Sequence, residues 1–184
     1  MGYSGGKSEN PTYHNLSNHS ETVEIDFDPS QISYRQLLDV FWEAHYPTID
    51  TRSRQYMSAV FYHNNEQKNF AEETKAQQEA IKGRIYTQIL PFTGFYLAED
   101  YHQKYYLQKV KDLSREINSI YPDVGDLVNS TAAARLNGYA GGYGNAEDLK
   151  DELNSYGLSA NGNEKLLELA DKGLSPACPI PLKS

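Results

Sequence analysis

The first residues that could carry chemistry are a tyrosine and a glutamate near the start of the chain. Tyr13 follows the turn-forming run Asn10-Pro11-Thr12, and Glu21 stands where a strand is predicted to begin. A phenol hydroxyl on a turn and a carboxylic acid at the mouth of a strand can meet in one cleft, where they would bind and protonate a polar group. The alternative is a solvated turn beside an ordinary strand-end glutamate.

Two further groups place hydroxyl or ionisable side chains beside loops. Tyr56 enters a predicted strand after a polar loop, and Asp100 and His102 lie in a tyrosine-rich stretch. Asp100 and His102 do not belong to a cluster with the spacing of metal ligands, so capping and packing roles are favoured over metal binding. The 184 residues contain no phosphate-binding glycine loop, no Ser-His-Asp arrangement and no Cys-x-x-Cys pair. We therefore expect neither a metal nor a bound cofactor.

The composition of the chain argues against several classes of binding partner and indicates the kind of compartment. Lys and Arg total 17 against 25 Asp and Glu, for a net charge of -8, and the positive residues are scattered, which argues against nucleic acid. Cys178 is the single cysteine, which excludes an intramolecular disulfide and suits a reducing compartment. No apolar run is long enough for a membrane helix, and the start lacks the pattern of a signal peptide. The expectation is a soluble, cytoplasmic protein without a membrane partner.

Tyrosine is abundant, at 15 residues against six Phe and one Trp. These side chains could line a pocket with aromatic rings and hydroxyls, or they could be half-buried sheet residues with solvated hydroxyls. Composition alone favours the second interpretation.

Hydrophobic periodicity predicts a mixed fold in which strands and helices follow one another. Ser33 is predicted to cap a helix that extends to about Ala44, and Asn64 to open one that extends to about Lys82. Residues 1–20 show no sustained period and are predicted to be loop. The remaining predictions are strands at 22–27, 55–62 and 85–90, helical character over 98–120, a short helix at 132–134, a glycine-dense loop at 138–144, and small helices at 149–156 and 164–172.

Taken together, these groups resemble one family, the type A peptide methionine sulfoxide reductases, in particular a eukaryotic-like branch. The matching runs occur in family order between about Tyr3 and Leu107. They are Gly2-Tyr3-Ser4-Gly5-Gly6, Asn10-Pro11-Thr12-Tyr13, His19-Ser20-Glu21, Asp28-Pro29, Ser33-Tyr34, Leu37-Leu38, Val40-Phe41-Trp42-Glu43, Gln55-Tyr56-Met57-Ser58-Ala59 and Ala98-Glu99-Asp100-Tyr101-His102-Gln103.

The resemblance implies a reductase that returns methionine-S-sulfoxide in proteins to methionine, a repair activity with thioredoxin as external reductant. In this family a cysteine thiolate attacks the sulfoxide sulfur while a carboxylic acid and tyrosine hydroxyls hold and protonate the oxygen. The resemblance assigns the acid to Glu21 and the hydroxyls to Tyr13 and Tyr56, and it makes Tyr105 a further pocket residue. To donate a proton near neutral pH, Glu21 would need a pKa that burial raises.

The resemblance also implies the fold: an α+β, two-layer α/β sandwich with a ferredoxin-like core and a Gly-rich helical C-terminal extension. Residues 1–121 would form the reductase domain, and 122–184 an extension packed on it. Relative to the family, the N-terminal strand and the Gly-Cys-Phe-Trp segment with the nucleophile are expected to be missing. Asp50 lies near, but out of register with, a family aspartate.

Cys178 resembles, by its place in a proline-bounded tail, the recycling thiols of the family, and an idle exposed thiol is the alternative. Three interpretations stay open from the sequence. The chain is part of an ordinary reductase, it is a catalytically inactive protein that keeps the sulfoxide pocket for binding, or it is a fragment that folds only when a separate polypeptide supplies the missing strand.

Overall fold

A computed structural model describes residues 1–172 of the chain. It divides into two compact units, the first spanning Met1–Glu99 and the second beginning at Asp100. The first unit contains all the strands of the described residues, and the second is helical. The α+β class is confirmed, whereas the domain boundary proposed after residue 121 stays a prediction.

The first sheet of the Met1–Glu99 unit has three short antiparallel strands. Strand β1 (Gly2–Ser4) lies in the centre, between β2 (Ser20–Thr22) and β5 (Phe95–Leu97). Tyr3 on β1 pairs with Glu21 on one side and with Tyr96 on the other. A candidate acid is thereby fixed beside the central strand of a sheet.

The second sheet is a parallel pair, β3 (Ala59–Tyr62) and β4 (Gln88–Pro91), joined by helix α2 (Asn65–Lys82). Helix α1 (Tyr34–Glu43) and α2 pack together over this pair, around Leu38, Trp42, Ala71 and Ile85. Parallel strands require such a crossover connection, because the chain must return to the end of the sheet where the first strand began before the second strand can run in the same direction. The caps predicted for both helices are confirmed: the Ser33 hydroxyl accepts from Gln36 N, and Asn64 accepts from Gln67 N.

The second unit consists of short helices around one apolar core. A 3-10 turn (Asp100–His102) leads into these helices, and another (Leu153–Ser155) precedes the last of them. The α-helices are α3 (Tyr105–Lys109), α4 (Lys111–Ile120), α5 (Val124–Asn129), α6 (Thr131–Ala140), α7 (Ala146–Glu152) and α8 (Ala160–Lys172). The fully buried residues of its core include Leu113, Ala133, Ala140, Leu149 and Leu166.

Several local predictions are wrong. The strand expected over 55–62 begins at Ala59, so Tyr56 lies in the turn before it and not in the strand. Residues 1–20 were expected to be loop, yet Gly2–Ser4 forms the central strand β1. The strand expected over 22–27 ends at Thr22, and Val23 and Ile25 are 60% and 57% exposed. The helix expected at 132–134 extends to Ala140, so the glycine-dense loop begins three residues later than expected.

None of the helices between Met1 and Lys172 combines the length and the apolar composition that a bilayer crossing requires. Over the same residues, no group of three or more His, Cys, Asp and Glu side chains lies close enough together to hold a metal ion.

Candidate active site

Tyr13 is held in a loop that turns back on itself between β1 and β2. Its backbone N–H donates to Glu99 Oε1 at 3.0 Å, and its ring packs beside the buried cluster of Tyr3, Leu16 and Ala98. The tight turn of Thr12 onto Asn15 fixes the loop tip through two backbone hydrogen bonds of 2.9 and 3.3 Å. The phenol is therefore half-buried and carried on an anchored segment.

Glu21 is the middle residue of β2, and its backbone N–H donates to Gln55 O at 2.9 Å. The side chain of Gln55 completes the contact, because its Nε2 donates to Glu21 Oε1 at 2.7 Å. Glu21 and Gln55 are both half-buried. The candidate acid is thus tied at backbone and side chain to the segment that carries Tyr56.

Tyr56 joins the two other candidates. Its hydroxyl shares a hydrogen bond with that of Tyr13, and this bond, with desolvation and the nearby charge of Glu21, raises the pKa of Tyr56 to about 12. A hydrogen bond from the Gln55 side chain acts in the opposite direction. Tyr56 is 44% exposed, so the raised pKa comes first from its partners rather than from burial. Near neutral pH it is an uncharged hydrogen-bond donor.

Arg54 fixes the Tyr56 segment against the N-terminal part of the chain. Its Nη2 donates to Gly5 O at 2.7 Å and its Nε to Asn18 O at 3.0 Å, while Arg54 O accepts from Ser20 Oγ at 2.7 Å. These bonds join residues that are 34 to 49 positions apart. Arg54 thus joins the segment that carries Tyr56 to Gly5, directly after β1, and to Asn18 and Ser20, close to Glu21.

His19 is buried directly before β2 and contacts the segment that follows β1. The ring is 2% exposed, with Nδ1 accepting from Gly6 N at 3.2 Å, Nε2 2.8 Å from Ser8 O, and its edge against Tyr96. A Cβ added to Gly6 would come within 2.3 Å of this ring. The close approach explains the glycine in terms of packing rather than backbone conformation.

The structure brings together Tyr13, Glu21 and Tyr56, the three residues proposed from the sequence as catalytic. It adds Gln55 and Glu99, to which sequence reasoning gave no role. Both lie inside the family runs, one directly before Tyr56 and the other directly after Ala98. Their position in those runs was the available signal, but only coordinates show which side chains they contact.

Tyr105 begins α3 in the second unit, with Lys109 Nζ 4.8 Å from its ring centre, so its pocket role stays a prediction. Cys178 lies outside the described residues. Asp50 accepts from Arg52 N at 3.1 Å and lines a cavity of about 240 Å³ that also borders Met57 and Tyr86.

Chemically, this arrangement suits a strongly polarised oxygen. Each phenol has one O–H, so both can donate to one acceptor when the bond between them is exchanged for bonds to that acceptor, and a carboxylic acid beside them can supply a proton. Paired donors that are held in advance stabilise charge on an oxygen without reorganisation.

Comparison with known proteins agrees with this geometry. The family model "Peptide methionine sulfoxide reductase" matches residues 1–132, and "Selenoprotein methionine sulfoxide reductase A, helical domain" matches residues 124–170. A structure of Mxr1 from Saccharomyces cerevisiae in reduced form is similar, with a TM-score of 0.55 and 27% identity over 59% of this chain and 68% of that one.

Relatives from distant organisms carry the same description. A Drosophila melanogaster peptide methionine sulfoxide reductase is 42% identical over 86% of this chain and 65% of its own length. One from Methanosarcina acetivorans is 46% identical over 59% of this chain and 64% of its own length. The chain thus spans somewhat less than two thirds of these relatives. With a family model that covers 132 of its 184 residues, the chain belongs to the peptide methionine sulfoxide reductase family, a family of oxidoreductases.

Proposed function

We propose that this chain binds methionine-S-sulfoxide in proteins and provides the oxygen side of a peptide-methionine (S)-S-oxide reductase. The observation that carries the proposal is the contact among Tyr13, Tyr56 and Glu21, with Gln55 bonded to the acid. Membership of an oxidoreductase family whose members are named for this reaction supports it.

The chemistry follows from the polarity of the sulfoxide. Its oxygen carries partial negative charge and accepts hydrogen bonds from both phenols, while Glu21 delivers a proton as the sulfur–oxygen bond breaks. A thiolate of the external dithiol attacks sulfur, takes the oxygen and becomes a sulfenic acid, and methionine leaves as the thioether. A second thiol then forms a disulfide and releases water, so two thiols are oxidised for each sulfoxide reduced.

The source of electrons is an external dithiol, and thioredoxin is our proposed reductant. Cys178 is the only thiol in the sequence, and we propose it as the recycling thiol that exchanges with this reductant. We place the activity in the cytoplasm as part of protein repair during oxidative stress, since a lone cysteine suits a reducing compartment.

Binding is tested with a short peptide that contains methionine-S-sulfoxide, by calorimetric titration into the 184-residue chain. We expect preference for the S epimer over the R epimer and over unoxidised methionine. Tyr56→Phe should weaken binding about fivefold to tenfold, because it removes one donor to the oxygen. Equal affinity for all three peptides would exclude the proposed function.

Turnover is tested with the same peptide and dithiothreitol, followed by methionine release. Activity that disappears in Cys178→Ser would assign the attacking thiol to Cys178 itself. Selective binding without turnover in either protein would instead favour a binding role for the pocket, which was the alternative interpretation of the sequence.

A further inference from the structure

Glu99 connects three segments of the first unit through the hydrogen bonds of its side chain. Its Oε2 accepts from the Tyr3 hydroxyl at 2.6 Å, and its Oε1 accepts from Tyr13 N at 3.0 Å. The two donors lie 96 and 86 positions away in sequence, so one carboxylate connects the end of β5, the strand β1 and the Tyr13 loop. Neither bond contributes to a helix or a strand ladder.

The Tyr3 end of this link is fixed. Tyr3 lies in the middle of the central strand, is 1% exposed, and pairs on both sides. A buried side chain in a paired strand has little freedom to move. The carboxylate is therefore held at a defined position relative to the sheet.

The loop that carries Tyr13 needs contacts outside itself to hold its conformation. Its loop begins and ends with non-glycine residues in the left-handed region, Asn10 with φ 48° and Ser17 with φ 52°. Such residues raise the free energy of the native loop, by about 1 kcal/mol each, and external contacts must stabilise this conformation. The Glu99 bond supplies such a contact at the residue whose hydroxyl meets Tyr56.

We propose that Glu99 is a positioning residue that sets the place of the Tyr13 hydroxyl, and through it the Tyr13–Tyr56 donor pair, by holding the Tyr13 backbone to Tyr3. Glu99 does not act on substrate. The proposal rests on the proposed function for its effect on sulfoxide affinity, but the geometry of the tyrosine pair is independent of any ligand.

The variants of Glu99 are chosen by the hydrogen bonds that each replacement side chain can form. Glu99→Leu keeps similar volume and offers no acceptor to either Tyr13 N or the Tyr3 hydroxyl. Glu99→Gln retains an oxygen for Tyr13 N, and its amide N–H can donate to the Tyr3 oxygen, so it should restore much of the effect. Glu43→Leu, an exposed residue at the end of α1, is the matched control.

Two readouts separate positioning from general stability. Incorporation of 3-fluorotyrosine, whose phenol ionises at lower pH, allows the Tyr56 titration to be followed by fluorine NMR, with signals assigned through Tyr13→Phe and Tyr56→Phe. The hydrogen bond between the Tyr56 and Tyr13 hydroxyls is the first cause of the raised pKa of Tyr56. Its loss in Glu99→Leu should lower the titration midpoint of Tyr56 by roughly one pH unit.

The second readout is affinity for the S-sulfoxide peptide, which should fall about tenfold in Glu99→Leu and recover in Glu99→Gln. If Glu99→Leu does not fold, Tyr3→Phe removes the anchored donor and should shift both readouts in the same direction. A folded variant of either kind with the wild-type Tyr56 midpoint would overturn the proposal. Absence of peptide binding by the wild-type chain would count against the proposed function alone, since the midpoint still tests Glu99.

Discussion

At the scale of single residues, Gln55 has a contact pattern that suits the oxygen side of a reductase. Its amide donates to Glu21 and bonds the hydroxyl of Tyr56, so one side chain sets the distance between the acid and the phenol. An amide is uncharged at every pH of interest, and its two N–H groups serve two acceptors at once. A charged residue in its place would add an unbalanced charge beside the acid.

Glycine at position 6 gives a prediction about packing in this site. Gly6→Ala places a Cβ within 2.3 Å of the His19 ring, which is buried and bonded at both nitrogens and so cannot turn aside. We expect a loss of about 2 kcal/mol in the free energy of unfolding. Urea unfolding followed by the fluorescence of Trp42, the single tryptophan and part of the same unit, measures it.

Gly83→Ala serves as the comparison. Gly83 has φ +79° and ψ -151°, a region that essentially only glycine adopts, and nothing within 4 Å of an added Cβ, so its substitution strains the backbone without a clash and should cost about 1 to 3 kcal/mol. If Gly6→Ala left the free energy of unfolding within about 0.5 kcal/mol of the wild-type value, the close packing of His19 on Gly6 would not be a constraint on the fold.

At the scale of secondary structure, helices were more predictable from the sequence than strands. The caps at Ser33 and Asn64 are formed by hydrogen bonds between residues three positions apart, which local sequence encodes directly. Strand β1 has only three residues and no alternation to reveal it, and it exists because β2 and β5 pair with it from distant parts of the chain. Local patterns carry no information about such partners.

Residues 23–27, which were predicted to continue the strand that ends at Thr22, show the opposite case: a strand-like pattern that forms no strand. Val23 and Ile25 have the alternation and the β-branched side chains typical of a strand, yet residues 23–27 pair with no other strand within residues 1–172. Propensity describes how well a side chain fits a pleated surface, but a neighbouring strand must supply the hydrogen bonds. The alternation of apolar and polar residues is present in the sequence, but it forms a strand only where a neighbouring strand is there to pair with it.

The capping box of α1 gives a prediction at this scale. Ser33→Ala removes the acceptor for Gln36 N and leaves the Gln36 side chain bonded only to the backbone of residue 33, so the free energy of unfolding should fall by about 1 kcal/mol. Trp42 lies on the same helix, and its fluorescence in urea reports the change. Ser33→Asp keeps a capping oxygen and should stay close to wild type; equal losses in both variants would show that capping is not the cause.

At the scale of the whole chain, the sequence revealed the members of the candidate site but not its construction. Tyr13, Glu21 and Tyr56 are predicted from a family resemblance, and they are spread over 44 positions. What the resemblance does not give is the order of contacts: Tyr56 to Tyr13, Gln55 to Glu21, and Glu99 to the loop. These depend on how short strands pair across the first unit, which is a property of the folded chain.

The pH dependence of stability gives the last prediction, and it depends on one cluster in the second unit. The carboxylate of Glu152 accepts hydrogen bonds from Arg135 and from the Tyr156 hydroxyl. The Arg135 bond, followed by that from Tyr156, lowers the pKa of Glu152, while burial, followed by the Glu152 bond, raises the pKa of Tyr156 to about 12. The two shifts act at opposite ends of the pH scale.

The sign of each contribution follows from linkage between proton binding and folding. Glu152 stabilises the chain above its unfolded pKa of 4.5, and this contribution is lost as pH falls through its lower folded value. Tyr156 stabilises it fully below pH 10.0 and loses its effect as pH rises through about 12. Glu152→Gln should therefore flatten the acid limb of a plot of unfolding free energy against pH, and Tyr156→Phe the alkaline limb, by about 1 kcal/mol each for partly exposed groups. Urea titrations followed by circular dichroism between pH 3 and pH 11.5 measure both limbs, with the exposed Tyr46→Phe as control. An alkaline limb that Tyr156→Phe leaves as steep as in wild type would remove Tyr156 as its cause.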